Sequence, residues 1–355
     1  MDVTRSHRII FLASVCMMFF FLTSCSNNSN LFMSGIAVKS RVKPDMEIML
    51  SSYETITSDA LVNARGIEAK IDSFLVFSTA SEDYSFIVYN ENADSIVLMF
   101  PNKGRGPDEQ ILSTITQIRR SDESVEIDVL GLNEHSILTI DFYRSIEQQH
   151  VDVIKKTELP QNTMYAHSFG AKIAGIVLFD EFDYTLQFFD AQSMEREDLI
   201  LPFGLSVDPG FITSTCVMKE DGTKCLWAMQ WANKFNILDL GDLEKSASYC
   251  TSRKKISDKQ LYASISEMPP ASVPVYYSAA RVTNNDVFLL YRGFSNEDTD
   301  KQKQMQIQRF SWDGHFKNRY LMNCIIDSFI VSEDASLVYG YSWDESKVYK
   351  YSLNQ

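Results

Sequence analysis

Histidine and cysteine are scarce in this sequence, and neither occurs in a motif that binds a metal or catalyses a reaction. The 355 residues include five histidines and six cysteines. No histidine lies in an HExxH or comparable pattern, and no CxxC or cysteine–histidine cluster has the spacing of a zinc site. The P-loop and nucleophile-elbow patterns are also missing. These absences leave no catalytic residue, metal or cofactor to predict, and they favour a binding protein over an enzyme.

Basic residues are too few to balance the acidic ones. Lys and Arg total 33 against 47 Asp and Glu, which gives a formal net charge of -14. An acidic surface repels nucleic-acid phosphates, so no DNA or RNA partner is expected. It also disfavours adhesion to anionic lipid through charge alone, and any attachment to a membrane therefore needs a different device.

Long apolar runs are limited to the start of the chain. Residues 9–22 are apolar or small, a length that is short for a membrane span and typical of a signal peptide. The run leads into Leu22-Thr23-Ser24-Cys25, which resembles the lipobox of bacterial lipoproteins. The resemblance implies a signal peptide over residues 1–24 and attachment of lipid to Cys25. An ordinary signal peptide with an incidental cysteine is the alternative.

The residues after the lipobox form a polar segment. Residues 26–30 are all Ser or Asn, and we interpret residues 25–35 as a tether between lipid and protein. Asn27 stands where inner-membrane lipoproteins of enteric bacteria carry Asp. No acidic cluster follows, although such a cluster is the export signal of surface lipoproteins in the Bacteroidetes. The segment therefore favours the periplasmic face of the outer membrane over the cell surface.

Four cysteines remain in the mature chain, in a compartment that is oxidising. Cys216 and Cys225 flank a turn-like sequence that starts at Lys219. A hairpin loop closed by Met218 and Thr223 would place the two cysteines opposite each other and allow a disulfide, whereas a shift of one residue would not. Free, buried thiols are the alternative for these two residues and for the others, which are Cys250 and Cys324.

Short β-rich runs separated by turn signals recur from about residue 70 onward. In many of them apolar and polar residues alternate, as with Val125, Ile127 and Val129 on one face, which is the period of a strand. The predicted strands lie at 73–77, 85–90, 95–100, 124–130, 136–142, 173–179, 185–190, 226–231, 234–240, 287–291, 305–312, 328–331, 337–342 and 347–353. One short helix is predicted over 257–268, between a capping-box-like start and two prolines.

The predicted strands group into six units of about 45 residues that start near 71, 115, 167, 212, 278 and 325. A repeat of this length with three or four antiparallel strands is typical of propeller blades. The sequence therefore predicts an all-β, six-bladed antiparallel propeller over residues 36–355, with residues 36–61 as the source of the strand that closes the ring. A β-sandwich or lipocalin-like barrel is the structural alternative.

One local sequence resembles a family motif. Residues 101–109 read PNKGRGPDE and follow the third predicted strand. They look like the GRGPGE-type segment of TolB-like six-bladed propeller lipoproteins from Bacteroides and its relatives. Asp108 replaces the usual glycine, which puts a positive φ at this position in doubt. The residues that match the family pattern are Gly104, Arg105, Gly106, Pro107 and Glu109.

Two interpretations of this segment remain open. As a blade-to-blade connection, it would use Arg105 to tie loops together through carbonyls or a carboxylate. As a ligand site at the mouth of the propeller, it would turn Arg105 toward an anion.

The function expected from the sequence is a lipid-anchored cell-envelope propeller that binds or scaffolds without evident catalysis. Its partners would be the membrane, through the lipid, and an envelope protein, peptide or glycan. The alternative is a propeller-fold hydrolase of lactonase or glycosidase type, with or without a metal, because acidic and amide side chains are plentiful. The tryptophans could serve as sugar-stacking platforms or as blade packing; they are Trp227, Trp231, Trp312 and Trp343.

Overall fold

A computed structural model describes residues 37–40, 42–121, 123–179, 183–202, 214–251, 270–295, 297–298 and 304–354. Its strands form six separate sheets of four or five strands, and consecutive sheets pack against each other through apolar clusters. The prediction of an all-β, six-bladed propeller is therefore confirmed. The predicted signal peptide, lipobox and tether all lie outside the described residues.

Each blade is built from strands that follow one another in the chain, with the first strand innermost. Blade 1 contains β4 (Ala64–Ile71), β5 (Phe74–Thr79), β6 (Tyr84–Asn90) and β7 (Ser95–Asn102). Blade 2 contains β8 (Ser113–Arg120), β9 (Val125–Gly131), β10 (Ser136–Asp141) and β11 (Asp152–Glu158). Blade 3 contains β12 (Thr163–Phe169), β13 (Lys172–Phe179), β14 (Asp183–Asp190) and β15 (Arg196–Pro202). Blades 4 to 6 contain β16 (Ser214–Met218), β17 (Lys224–Met229), β18 (Phe235–Asp239), β19 (Ala247–Cys250); β20 (Val275–Val282), β21 (Asp286–Phe294), β22 (Gln306–Ser311), β23 (Phe316–Met322); and β24 (Ser328–Val331), β25 (Leu337–Ser342), β26 (Lys347–Ser352).

The N-terminal segment supplies the outer edge of the last three blades. β3 (Glu54–Thr57) pairs antiparallel with β26 and completes blade 6, so the closing strand comes from the predicted stretch. Before that, β1 (Ala37–Ser40) and β2 (Met46–Leu50) pair parallel with β19 and β23 as fifth strands of blades 4 and 5. The chain ends are thus joined by main-chain hydrogen bonds, which close the ring.

Strand alternation divides the loops between the two ends of the propeller, because successive strands of a blade run antiparallel. One end carries the blade-to-blade connections and the loops between second and third strands. We call it the connection face, and its described loop residues are 58–63, 80–83, 103–112, 132–135, 159–162, 230–234, 251, 270–274, 295, 297–298, 304–305, 323–327 and 343–346. The other end is the turn face, whose loops are 72–73, 91–94, 123–124, 142–151, 170–171, 191–195, 219–223, 240–246, 283–285, 312–315 and 332–336.

The middle strands of each blade are buried on both faces. In β5, Val76 packs toward blade 2, while its neighbours Leu75 and Phe77 pack toward blade 6. This follows from the period of two, since successive side chains point to opposite sides of a sheet. Full burial of one such side chain contributes roughly 1.5–3 kcal/mol. Packing between blades therefore holds the ring and fixes the loops at its two ends.

One α-helix, α1 (Phe142–Gln148), occurs in the described part of the chain. Asp141 begins it by accepting a hydrogen bond from the Arg144 amide at 3.0 Å, so the strand predicted over 136–142 ends one residue early. The helix predicted over 257–268 lies outside the described residues. No helix that the structure describes is both long enough and apolar enough to cross a bilayer.

Candidate functional site

The glycine-rich segment 104–109 lies on the connection face, where it links β7 of blade 1 to β8 of blade 2. Backbone hydrogen bonds hold both of its ends. The Lys103 amide donates to the Asp83 carbonyl at 2.7 Å, and the Gln110 amide donates to the Asn102 carbonyl at 3.0 Å. The segment is therefore a fixed loop at the junction of two blades.

Glu109 shapes this loop from within. Its carboxylate accepts a hydrogen bond from the Gly106 amide at 2.8 Å, and a Cβ placed on Gly104 would overlap that carboxylate. Neither glycine has a positive φ, and neither does Asp108. The glycines are thus required for the close approach of Glu109 rather than for left-handed backbone, and the departure from glycine at Asp108 is tolerated for the same reason.

Arg105 takes no part in holding the loop. Its side chain is exposed and makes no hydrogen bond or ion pair with the described part of the chain. The tie to a neighbouring strand comes instead from Lys156, whose Nζ donates to the Pro107 carbonyl at 3.2 Å. The structural role expected for Arg105 is therefore carried by Glu109 and Lys156.

A cavity of about 460 Å³ opens beside Arg105. It lies between segment 104–109 and the turn that joins β9 to β10 in blade 2. The two loops meet because Gly131 pairs with Ser113 on one side and with Ser136 on the other. The residues that line the cavity are Arg105, Ile111, Leu132, Asn133, Glu134 and His135.

Two of these lining residues hold polar atoms that lack partners. Glu134 accepts a hydrogen bond from the Ile111 amide through Oε1 at 3.2 Å, but its buried Oε2 has no donor in the described chain. His135 has a left-handed backbone, with φ of 48°, and its buried Nδ1 is likewise unpartnered. Buried polar atoms normally find partners in a folded protein. The cavity therefore combines an acceptor without a donor and a guanidinium without an acceptor, which makes it the candidate site.

Glu134 and His135 are not predicted from the sequence as site residues. They belong to the β9–β10 turn, and only the register of blade 2 brings this turn against segment 104–109. Gly131 was the available signal for this close approach. A Cβ at Gly131 would lie 2.7 Å from the side-chain nitrogen Nε2 of Gln110 and 2.8 Å from Glu134 Oε2. A glycine at the end of a strand whose register is known marks such a close approach.

Exposed apolar side chains gather on the same face. Five large apolar residues, 44–58% exposed, lie in its loops or at the adjoining strand ends: Val62, Leu112, Met164, Ile325 and Trp343. Trp343 also lies under the Arg65 guanidinium, 4.1 Å from its ring centroid. At the turn-face end the comparable residues are Leu243 in a loop and Met46 and Tyr53 at the starts of β2 and β3, 37%, 57% and 56% exposed. The described loops themselves differ more, because four of these apolar residues lie in connection-face loops and one lies in a turn-face loop.

Cys216 and Cys225 are close neighbours, although their register differs from the one expected for direct opposition. The loop closes with a hydrogen bond from the Lys219 amide to the Lys224 carbonyl at 2.9 Å. Cys225 consequently pairs with Met218, and Cys216 is its diagonal neighbour. The Sγ atoms are 3.3 Å apart as free thiols, and burial raises the pKa of Cys216. Their oxidation to a disulfide stays a prediction.

The alternative function, a hydrolase assisted by a metal, would need a cluster of metal ligands. Among the described residues, no three His, Cys, Asp or Glu side chains converge as metal ligands. Of the four tryptophans, Trp227 and Trp312 are buried, Trp231 is half-buried in loop 230–234, and Trp343 is exposed on the connection face.

Comparison with known proteins identifies the fold but no family. No family model matches the chain, and no curated protein matches it either. A DUF4221 member from Bacteroides vulgatus is 13% identical, with a TM-score of 0.50 over 85% of this chain and 97% of that one. Raptor from Chaetomium thermophilum is 9% identical, with a TM-score of 0.51 over 86% of this chain and 29% of that one. A Bacteroides fragilis protein described as exported is 14% identical, with a TM-score of 0.46 over 83% and 87% of the two chains.

Proposed function

We propose that this protein is a lipid-anchored binding or scaffold propeller of the cell envelope, and that its connection face is the binding surface. The cavity beside Arg105 carries the proposal, because it combines an unpaired cation, an unpaired carboxylate oxygen and apolar walls. Ligand sites are typically concave, mostly apolar and equipped with a few fixed polar groups. The partner would be a peptide, a glycan or an envelope protein.

The rest of that face supports the same role. Its exposed apolar side chains come from five different loops or strand ends, so they are properties of the face and not of one loop. Such side chains surrounded by polar residues are typical of interaction surfaces. A partner larger than the cavity could therefore be anchored by the cavity and contact the surrounding loops.

Attachment of lipid to Cys25 would determine the location of the protein in the cell envelope. The lipobox resemblance and the polar tether support this part of the proposal, and they favour the periplasmic side of the outer membrane. The resemblance of segment 104–109 to TolB-like propeller lipoproteins points the same way. Cys25→Ser should abolish incorporation of a palmitate analogue and release the protein from the membrane fraction. Cys324→Ser should leave both unchanged.

Site-specific photocrosslinking tests the binding surface. A benzophenone amino acid is introduced at Leu112 on the connection face and, as the matched control, at Leu243 on the turn face; both leucines are exposed. Irradiation of intact cells should give discrete adducts from position 112 and none from position 243. Equal adducts from both positions, or none from position 112, would show that the connection face is not the binding surface.

A further inference from the structure

The cavity beside Arg105 contains opposite charges that do not neutralise each other. Arg105 has no ion pair within the described chain, and Glu134 Oε2 has no donor there. Both groups line the same space of about 460 Å³. A simple anion would be attracted by the guanidinium and repelled by the carboxylate, so free phosphate or sulfate fits poorly. A ligand with an anionic group next to a hydrogen-bond donor matches both.

The acceptor side of the cavity is fixed in place before any ligand arrives. The Ile111 amide holds Glu134 Oε1, and the Leu132 amide donates to the Leu112 carbonyl at 2.8 Å. His135 is held from the other side, where its carbonyl accepts from the Leu159 amide at 2.7 Å. The backbone around the acceptor is thus held before binding, which reduces the entropic cost of binding. Glu134 Oε2 is buried against Gly131, so it meets a ligand donor once the carboxylate turns toward the cavity.

The walls favour an apolar side chain over a sugar. Ile111 and Leu132 provide the apolar part of the lining, and Leu112 is exposed at the adjoining strand end. None of the lining residues is Phe, Tyr or Trp, the residues that provide large apolar rings on which a sugar could stack. The combination of one cation, one acceptor and aliphatic walls describes a site for an amino-acid residue.

We infer that the cavity captures the free carboxyl-terminal residue of a peptide. The α-carboxylate pairs with Arg105, the backbone N–H of the same residue donates to Glu134 Oε2, and its side chain packs on Ile111 and Leu132. Guanidinium–carboxylate pairs are among the stronger charge-assisted hydrogen bonds, and capture of chain ends is a recurring mode of peptide recognition. The inference rests on the proposed function and narrows it from any partner to a peptide end.

Fluorescence anisotropy with two peptide mixtures tests this inference on the full-length lipidated protein in detergent. The first mixture contains tetrapeptides of random sequence with an N-terminal fluorophore and a free carboxylate, and the second is identical but amidated. The free acids should bind at least about tenfold more tightly than the amides, because an ionised hydrogen-bond pair contributes on that scale. Arg105→Gln should reduce the binding of the acids to the level of the amides.

Two further variants sharpen the assignment. Glu134→Gln, which replaces the acceptor by a donor, should weaken both mixtures. Arg144→Gln should change nothing, since Arg144 is an exposed arginine on the turn face. Unchanged circular dichroism and melting temperature would establish that each variant is folded.

Equal affinity for acids and amides, no binding of either mixture, or full binding by Arg105→Gln would each overturn the capture of a carboxyl end. The photocrosslinks from position 112 would be unaffected by that failure and would still support the proposed function. Conversely, acid-specific binding without crosslinks in cells would retain the cavity assignment and remove the proposed envelope partner.

Discussion

The two ends of the propeller treat their polar side chains in opposite ways. On the turn face, carboxylates bind their own backbone: Asp190, for example, accepts from the Gln192 and Ser193 amides at 2.9 and 2.8 Å. Hydrogen bonds from neighbouring side chains, joined by backbone amides at most of these positions, lower the pKa of six turn-face aspartates, whereas Glu345 is the comparable group in the described connection-face loops. The six are Asp94, Asp190, Asp221, Asp242, Asp313 and Asp334.

On the connection face, several buried polar atoms have no hydrogen-bond partner in the described chain. In its described loops, Gln110, Glu134 and His135 each bury an atom without a partner, while Trp312 Nε1 is the equivalent on the turn face. A buried unsatisfied group costs roughly 1–3 kcal/mol, which the folded chain must offset elsewhere. The turn face thus uses its polar groups to stabilise the fold, whereas the connection face retains unused hydrogen-bonding capacity, as the proposed binding surface requires.

The pH dependence of the free energy of unfolding should distinguish the contribution of the turn-face carboxylates from that of His167, a buried side chain in neither set of loops. His167 in β12 is 5% exposed and both of its ring nitrogens lack partners. Burial lowers its pKa from 6.5 to about 4, so between these values the unfolded chain binds a proton that the folded chain does not. The free energy of unfolding should therefore fall by about 3 kcal/mol as the pH drops from 6.5 to 4. Urea denaturation at intervals of one pH unit measures this.

Two variants identify the group that makes the free energy of unfolding depend on pH in this range. His167→Gln has no titrating ring and should flatten the profile above pH 4, while His150→Gln, at an exposed position of the turn face, should leave it unchanged. If His167→Gln retained the full slope, acid sensitivity would already arise from other groups in this range, and the turn-face carboxylates would become the leading candidates.

Glycine substitutions compare the tightness of the two faces directly. Gly222 on the turn face has φ of 68°, and a Cβ there would overlap the Phe169 ring. Gly222→Ala should lower the free energy of unfolding by about 2–3 kcal/mol, from backbone strain and overpacking together. Gly170→Ala is the matched control, with φ of 57° and open space around its Cβ. It should cost about 1 kcal/mol, the strain alone.

The same change on the connection face should cost less. A Cβ on Gly104 displaces only the end of the flexible Glu109 side chain, which can turn to solvent at the cost of its bond to Gly106. Gly104→Ala should therefore lose about 1 kcal/mol in urea denaturation. A loss as large as that of Gly222→Ala would mean that the connection face is as tightly packed as the turn face, and the comparison would fail.

The fold could be predicted because the middle strands of each blade are apolar on both sides. All twelve second and third strands coincide with predicted runs, as with Phe74–Thr79 and Tyr84–Asn90. The innermost and outermost strands were mostly missed. β4, for example, carries Arg65, Glu68 and Lys70 among its small residues and therefore lacks the apolar pattern of a strand. The first unit was consequently predicted to start near residue 71, whereas its first strand starts at Ala64. Tertiary position, not local propensity, makes such segments strands.

The candidate site could be predicted only in part. A local motif located Arg105 and Glu109 in a loop between blades, because glycine and proline mark turns directly in the sequence. Their division of roles depends on which carboxylate reaches the Gly106 amide, and that is a matter of three-dimensional contact. Glu134 and His135 join the site through the pairing of β8, β9 and β10, and Gly131 marks their close approach only once that register is known.

Two glutamates of the connection face should respond oppositely to the same substitution. Glu109→Gln removes the charge that accepts from the Gly106 amide and should lower the free energy of unfolding by about 1 kcal/mol. Glu134→Gln retains an oxygen for the Ile111 amide and removes a buried carboxylate oxygen without a donor. It should be neutral or stabilising by up to about 1 kcal/mol. Destabilisation by Glu134→Gln in urea denaturation would mean that Glu134 stabilises the fold and is not reserved for a ligand.

The smallest effect should come from a single turn-face carboxylate. Burial slightly opposes ionisation of Asp221, but hydrogen bonds from Lys219 and Thr223 lower its pKa to about 2. Because the folded pKa lies below the ordinary value of 3.8, this group stabilises the protein fully above pH 4 and loses its effect as the pH falls toward 2. Asp221 is exposed, so solvent screening should limit the difference between wild type and Asp221→Asn to roughly half a kcal/mol. The difference should vanish near pH 2 in urea denaturation, and a constant difference at every pH would assign it to turn geometry instead of charge.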